Sequence, residues 1–219
     1  PKFFATIPPQ PLEIVRVPVY SQDSSPGGYY NPPALDGSRP GRFYINQKDT
    51  ADNPKYSLAT LMIHEGSPGH HFQLSAAQLI EGVPLLRKVM PFNAYAEGWA
   101  LYAEVIMQPY LSPEAQLFSL YALAWRAARM FLDPMLNLGL ITPEEAKNLI
   151  MNDVTIGESW AQNEIERYTY RMPGQATAYY YGYGKMQSLR AQTELKLRDD
   201  FDQQAFHDFI LSQGMLPPH

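Results

Sequence analysis

The sequence predicts a mainly α-helical domain with a small β-element of two short strands at its N-terminal end. Three observations carry this reading. Ten of the twenty prolines lie in residues 1–54, and a ring that fixes φ and removes a backbone donor keeps long helices out of that stretch. From Tyr56 onward, cap residues, first-turn prolines and terminal glycines mark off a succession of helical segments. The chain has 219 residues, 45% of them hydrophobic, which is enough for one sizeable core. Residues 1–54, a Pro-rich segment with short strands, and residues 55–219, the helical part, are therefore read as one compact domain.

Composition removes several classes of function. Lysine and arginine total 17 against 22 acidic residues, a net charge of −5 with the signs interspersed, so no basic stripe exists for nucleic acid. No apolar run approaches about 18 residues, so no transmembrane segment is expected. The absence of cysteine excludes disulfides, thiolate-bound structural zinc and thiol catalysis. It leaves the compartment open.

In chain order, Leu12, Ile14, Val17 and Val19 alternate well enough for a strand over 12–20, and Pro18 confines it to a sheet edge. Residues 24–33 read as a loop, and 42–46 as the second strand. A helix over 56–66 and another over 68–81 follow, then a helix over 91–104. Ser112-Pro113-Glu114 opens a long helix through Trp125 and Arg129 that stops or kinks at Asp133-Pro134. Thr142-Pro143-Glu144-Glu145 caps a helix to about residue 152. Further helices are expected over 158–170, 175–197 and from Asp202 to near Gly214, with Met172-Pro173-Gly174 as a break. Gly182-Tyr183-Gly184 lacks the strand-turn-helix setting of a phosphate loop.

The chemistry concentrates at Leu61–Gln73, where three of the five histidines fall within eight residues beside a glutamate: His64, Glu65, His70 and His71. A catalytic zinc needs three protein ligands, an open position for water and a carboxylate to take that water's proton. The usual helical source is His-Glu followed four residues later by His. Here that position is Pro68, and the candidates come six and seven residues after His64. On an unbroken helix, seven residues are about 10 Å, too far for one ion. The pattern works only if the helix is interrupted, which Pro68 and the glycines at 66 and 69 permit. Ser67 and Pro68 then read as cap and first turn of the next helix. His70 and His71 stand about 100° apart on it, so only one faces His64. The shorter bulge, which disturbs fewer backbone hydrogen bonds, favours His70. The other is left to bond a second carboxylate or substrate.

A third ligand is supplied by the aromatic helix that carries Glu97 and Glu104, two carboxylates on one face amid Ala, Tyr, Trp and Leu. Buried carboxylates need a partner or a metal. His64, Glu97 and one of His70 and His71 are thus the expected ligands of one zinc per chain, Glu65 the general base and Glu104 a supporting group behind the ligands. Tyr168, Tyr170, Tyr179, Tyr180, Tyr181 and Tyr183 are more tyrosines than one core stripe needs. A tyrosine hydroxyl can stabilise an oxyanion; Tyr179 is the first choice, with Tyr168 beside the substrate and Arg167 or Arg171 holding a substrate carboxylate. His207, on an amphipathic helix, reads as a packing residue. His219 carries no argument.

His64-Glu65-x-x-Pro68-Gly69-His70-His71-x-Gln73, with Ala94-Tyr95-x-Glu97-Gly98-Trp99-Ala100-x-Tyr102-x-Glu104, resembles the bacterial domain-of-unknown-function 885 family. Supporting matches run through Trp125-Arg126, Arg129, Glu166-Arg167-Tyr168, Pro173-Gly174-Gln175-Ala176 and Phe206-His207-Asp208, covering roughly residues 40–218. That family in turn resembles the gluzincin metallopeptidases. The resemblance implies a zincin-like fold, a peptide substrate, and a bacterial lipoprotein exported rather than cytoplasmic. It also implies a longer protein whose N-terminal half is missing here and would complete a substrate channel. By the same resemblance, residues 43–46 are the strand that pairs with an extended substrate, while the residues themselves equally fit a small structural hairpin covering the core. Two other readings stay open: a metal-dependent hydrolase of non-peptide amides, and a catalytically silent metal-binding module. An unligated Glu65 beside the ligands speaks against the second.

Overall fold

The computed structural model describes residues 2–48, 54–90 and 92–217. Its N-terminal part folds as three strands, β1 (Leu12–Arg16), β2 (Gly28–Asn31) and β3 (Gly41–Ile45), in the order β1-β3-β2. β1 runs parallel to β3 from Leu12↔Gly41 to Arg16↔Ile45, and β2 is antiparallel to it with Tyr29 opposite Tyr44. β1 is an edge strand, as the proline beyond it requires. It ends at Arg16, however, and Val19–Ser21 forms a single 3₁₀ turn.

Two expectations need correction. The Gly-Gly-Tyr-Tyr-Asn stretch, read as loop, is a third strand. Its glycines and asparagine hide a short alternation, which is settled by stacking of Tyr29 on Tyr44 at 4.7 Å and 10°, a cross-strand pair of the kind that stabilises sheets. In consequence β3 is paired on both sides and has no free edge for a substrate.

The helices follow as α1 (Lys55–Glu65), α2 (His70–Leu79), α3 (Leu86–Val89), α4 (Asn93–Met107), α5 (Pro113–Asn137), α6 (Pro143–Asn152), α7 (Glu158–Glu166), α8 (Thr177–Leu197) and α9 (Gln203–Ser212). Pro91, the expected start of the fourth, and His219 lie outside the described residues. The cap signals act as read. Ser112 accepts from Ala115, Thr142 and Glu145 form a reciprocal capping box, and Asp202 accepts from Ala205. The segment after α7 continues as a π-helical turn, Arg167–Arg171.

α5 does not stop at Asp133-Pro134. Pro134 sits inside its last turn, and the helix runs on to Asn137. Tertiary contacts outweigh the proline. The Asp133 carboxylate is fully buried and accepts from Gly174 N–H (2.8 Å), Ala176 N–H (3.0 Å) and Asn137 Nδ2 (2.9 Å). Those bonds also fasten the 172–176 turn, and with it the start of α8, to α5.

Two apolar clusters form. Phe72, Trp99, Tyr102, Met186, Phe206 and Ile210 join α2, α4, α8 and α9. Leu132, Ile150, Ile156, Ile165 and Tyr168 join α5, α6, α7 and the π-helical turn. α4 and α8 meet backbone to backbone: a Cβ on Gly98 would stand 2.4 Å from the Gly182 carbonyl carbon, and one on Gly182 only 1.7 Å from Ala94 O. No side chain other than hydrogen fits there. The close approach sets Glu97 on α4 against the first turns of α8.

This crossing yields a paired expectation. Gly182→Ala should destabilise the fold by about 3 kcal/mol or more through backbone overlap. Gly184→Ala, on the same helix with nothing within 4 Å of the new Cβ, should stabilise it by about 0.5–1 kcal/mol by reducing unfolded-state freedom. Denaturant unfolding of both variants measures the difference. Equal effects would mean that the crossing is looser than described.

Candidate metal centre

The site begins at the end of α1, where the helix is broken and restarted within four residues. Gly66 N–H still donates to Met62 O at 2.9 Å, closing α1. Pro68 follows Ser67 through a cis peptide bond, and Gly69 N–H reaches back past it to Ile63 O at 3.0 Å. A Cβ on Gly69 would lie 2.0 Å from His64 O, so this fold-back requires glycine. The expected Ser67 cap and first-turn Pro68 are not formed. α2 starts only at His70, with Gly69 in the cap position. The buried Pro68 carbonyl instead accepts from Trp99 Nε1 at 2.8 Å, which ties the join to α4.

The fold-back turns His70 toward His64. Their rings meet edge to face at 4.7 Å and 84°. Nε2 of each lies 3.3 Å from the same Glu97 oxygen, Oε2. One ligand atom from each of the three falls within 4.8 Å of the others. Ligands at about 2.0–2.1 Å in a tetrahedron stand roughly 3.3–3.4 Å apart, so both His–Glu spacings fit a zinc ion.

The hydrogen bonding points the same way. His64 Nδ1–H donates to Glu104 Oε1 at 2.6 Å, and Arg126 Nη2 donates to that oxygen at 3.4 Å. With one proton on Nδ1, His64 turns Nε2 toward the buried Glu97 Oε2, which needs a positive partner there, either a second proton on the ring or a bound cation. The field there invites one. Burial pushes His64 down, but hydrogen bonds to Glu104 and Glu97 outweigh it and hold the ring well above the usual range. Burial pushes Glu97 up, but His70 and His64 hold it well below.

Glu65 is the last residue of α1 and is buried. Among the described residues its carboxylate has no hydrogen bond or ion pair, and its charge reaches His64. Tyr179 is buried and stacks its ring parallel to His64 at 6.0 Å and 16°. Arg167 Nη2 donates to its hydroxyl at 3.0 Å.

Other expected residues lie elsewhere. His71 turns away: its Nε2–H donates to Gln10 O at 3.0 Å and Nδ1 accepts from Tyr30 O–H at 2.8 Å. Burial lowers its pKa, so it is neutral and fully used in joining α2 to the sheet. Tyr168 cannot line a substrate cleft. It is fully buried in the second cluster and donates to Glu164 Oε2 at 2.5 Å. Arg171 is exposed and paired with Glu166 at 2.5 Å. Arg167 is committed inside the protein, to Tyr179 and to Gln175 Oε1. His207 is a packing residue: Nδ1–H donates to Phe3 O and Nε2 accepts from Tyr102 O–H at 2.7 Å.

Two participants escaped the sequence reading. Gln175 donates from Nε2 to Glu97 Oε1 at 3.4 Å, and its place in the Pro-Gly-Gln-Ala motif was the available signal. The second is the buried pair Arg129–Glu164, bidentate at 2.6 and 2.8 Å, with the Arg129 guanidinium carbon 5.1 Å from the centre of the Tyr179 ring. Nothing in the spacing marks that pair as belonging together.

Comparison with known proteins adds the following. The whole chain, residues 1–219, matches a family described as bacterial protein of unknown function, DUF885. A solved structure described as a "putative lipoprotein" from Colwellia psychrerythraea superposes with a TM-score of 0.95 at 40% identity, covering 99% of this chain and 38% of that one. A second, described in the same words and as of unknown function, from Shewanella oneidensis, gives 0.80 at 26% identity, covering 99% and 40%. The chain thus spans about two fifths of the length of these relatives. No curated protein matches. Among the described residues no helix is long and apolar enough to cross a membrane.

Glu164 supplies a test of the polar network. Burial pushes its carboxyl up, but Arg129 outweighs this and holds it below the ordinary 4.5. The stabilisation is therefore complete above about pH 4.5 and lost as pH falls through the folded value. Arg129→Met should cost about 3–5 kcal/mol at pH 7 by leaving a buried unpaired carboxylate. In denaturant unfolding at several pH values, that deficit should begin to shrink above pH 4.5, because burial without Arg129 pushes the stranded carboxyl up and it protonates earlier. A deficit that does not change with pH would contradict the pairing.

Proposed function

Because this chain belongs to the bacterial family DUF885, whose description assigns no activity, we propose from the site itself that it is the metal-binding part of a zinc-dependent peptidase related to the gluzincins. The observation that carries this reading is the convergence of His64, His70 and Glu97 on one point beside an uncommitted buried carboxylate, Glu65. Three N/O ligands leave the fourth position of a zinc site for water.

Zinc held by these residues would polarise a substrate carbonyl and make a bound water acidic near neutral pH. Glu65 takes the proton of the attacking water and passes it to the leaving amine. Because the Glu65 carboxylate shares no hydrogen bond among the described residues, no described group competes for its lone pairs. Glu104 fixes the His64 ring and its tautomer, the usual service of a carboxylate behind a ligating histidine. Tyr179 accepts from Arg167 and keeps its own O–H to donate to the oxyanion of the tetrahedral intermediate. Peptide is the substrate class because a zinc–glutamate–tyrosine set of this kind suits attack on an unactivated amide. The solved relatives are longer, this chain covering 38% and 40% of their length. The remainder of such a protein is expected to complete the substrate channel, so turnover belongs to the full-length form. The descriptions of the two solved relatives support an exported location.

Zinc analysis after zinc-supplemented purification should give about one ion per chain. His64→Ala, His70→Ala and Glu97→Gln should each abolish it, while His71→Ala should retain it at reduced fold stability. Glu65→Gln should also keep the metal, yet in the full-length protein lower peptide turnover by about 10²–10⁴-fold. Full activity of that variant would remove Glu65 from the mechanism. Cleavage of acyl amides but not peptides would redirect the substrate class.

A further inference from the structure

Arg167 and Gln175 form a continuous chain of contacts from the protein interior to one oxygen of Glu97. Gln175 Nε2 donates to Glu97 Oε1 at 3.4 Å, the oxygen other than the one facing His64 and His70. Gln175 Oε1 accepts from Arg167 Nη2, and that same nitrogen donates to the Tyr179 hydroxyl at 3.0 Å. The amide orientation is fixed by its neighbours, since the flipped amide would set donor against donor at Arg167 and acceptor against acceptor at Glu97. The guanidinium carbon lies 5.5 Å from the centre of the Tyr179 ring, and Glu164 Oε1 is 3.7 Å from Nη1. The backbone on either side of Gln175 is pinned by the buried Asp133 through Gly174 and Ala176 N–H.

We infer that Arg167 and Gln175 are positioning residues that hold Glu97 to one-oxygen coordination and, through the same guanidinium group, present Tyr179 beside it. This rests on the zinc reading given above. A carboxylate with both oxygens free can grip a metal with both, which would occupy the position needed for water. Engaging Oε1 with Gln175 removes that option and leaves Oε2 alone for the ion. Glutamine suits the position where glutamate would not, because a carboxylate there would face Glu97 with like charge. Arg167 then has no hydrogen-bond capacity at Nη2 left for a substrate carboxylate. Its task is internal, and the ligand and the oxyanion donor share a single anchor.

The test compares zinc affinity and the visible spectrum of the cobalt(II)-loaded chain, since four-coordinate cobalt absorbs far more strongly than five- or six-coordinate cobalt. Gln175→Ala and Arg167→Met should each weaken zinc binding by about 10–100-fold and dim the cobalt bands. Tyr179→Phe and Arg171→Met should change neither, because one keeps the Arg167–Gln175–Glu97 contact and the other is an exposed arginine of the same π-helical turn. Thermal unfolding of the metal-free variants confirms that they fold. If Arg167→Met does not, Gln175→Ala at its half-buried turn position decides. A wild-type chain that takes up no zinc overturns the metal reading and this inference together. Wild-type binding with unchanged affinity and spectrum in Gln175→Ala overturns this inference alone.

Discussion

The centre of this protein depends on one backbone hydrogen bond, from Gly69 N–H to Ile63 O. It closes a fold-back of four residues that a regular helix cannot make. By it, two histidines about two turns apart in sequence come to the same carboxylate oxygen. The proline removes the ordinary donor, and the glycine alone admits the carbonyls of Ile63 and His64 so close to its Cα. Trp99 Nε1 on the Pro68 carbonyl ties the join to the helix that carries Glu97. Glu97 is therefore placed by the same contact that holds His64 and His70 in position.

A second constraint acts on the other side. α4 and α8 touch through Gly98 and Gly182, and this brings the 175–179 region against Glu97. Charged and polar groups there pair with one another: Glu104 with His64 and Arg126, Glu164 with Arg129 and Tyr168, Arg167 with Gln175 and Tyr179, while Glu104 Oε2, Arg126 Nε and Arg167 Nε find no hydrogen-bond partner among the described residues. Buried charge of this density costs more than it returns unless every partner is in place. Its value lies in rigidity around a few groups left uncommitted, Glu65 and Glu97 Oε2.

Much of this was legible in the chain. Prolines and cap residues mark the helices well, because Thr142-Pro143 or Ser112-Pro113 act locally and need no distant partner. That His64, Glu97 and one of His70 and His71 would be brought together was readable from residue type and from the proline that forbids the ordinary spacing. What escaped was decided by contacts distant in sequence. β2 forms because Tyr29 finds Tyr44. Pro134 stays helical because Asp133 anchors the 172–176 turn. Tyr168 is drawn into the core by Glu164, 4 residues before it on the same helical run but itself paired with Arg129 on another helix. The choice between His70 and His71 rested on the length of a bulge, which spacing narrows without fixing. The decisive fact is that Tyr30 and Gln10, far upstream, occupy both nitrogens of His71.

The central claim is that one ion is held by two imidazoles and one carboxylate oxygen. X-ray absorption at the zinc edge of the loaded protein measures this most directly. The account predicts a four-coordinate shell at about 2.0–2.1 Å with scattering from two imidazoles, falling to one in His70→Ala and unchanged in His71→Ala. Three imidazoles, or a signal that loses one with His71→Ala, would contradict it.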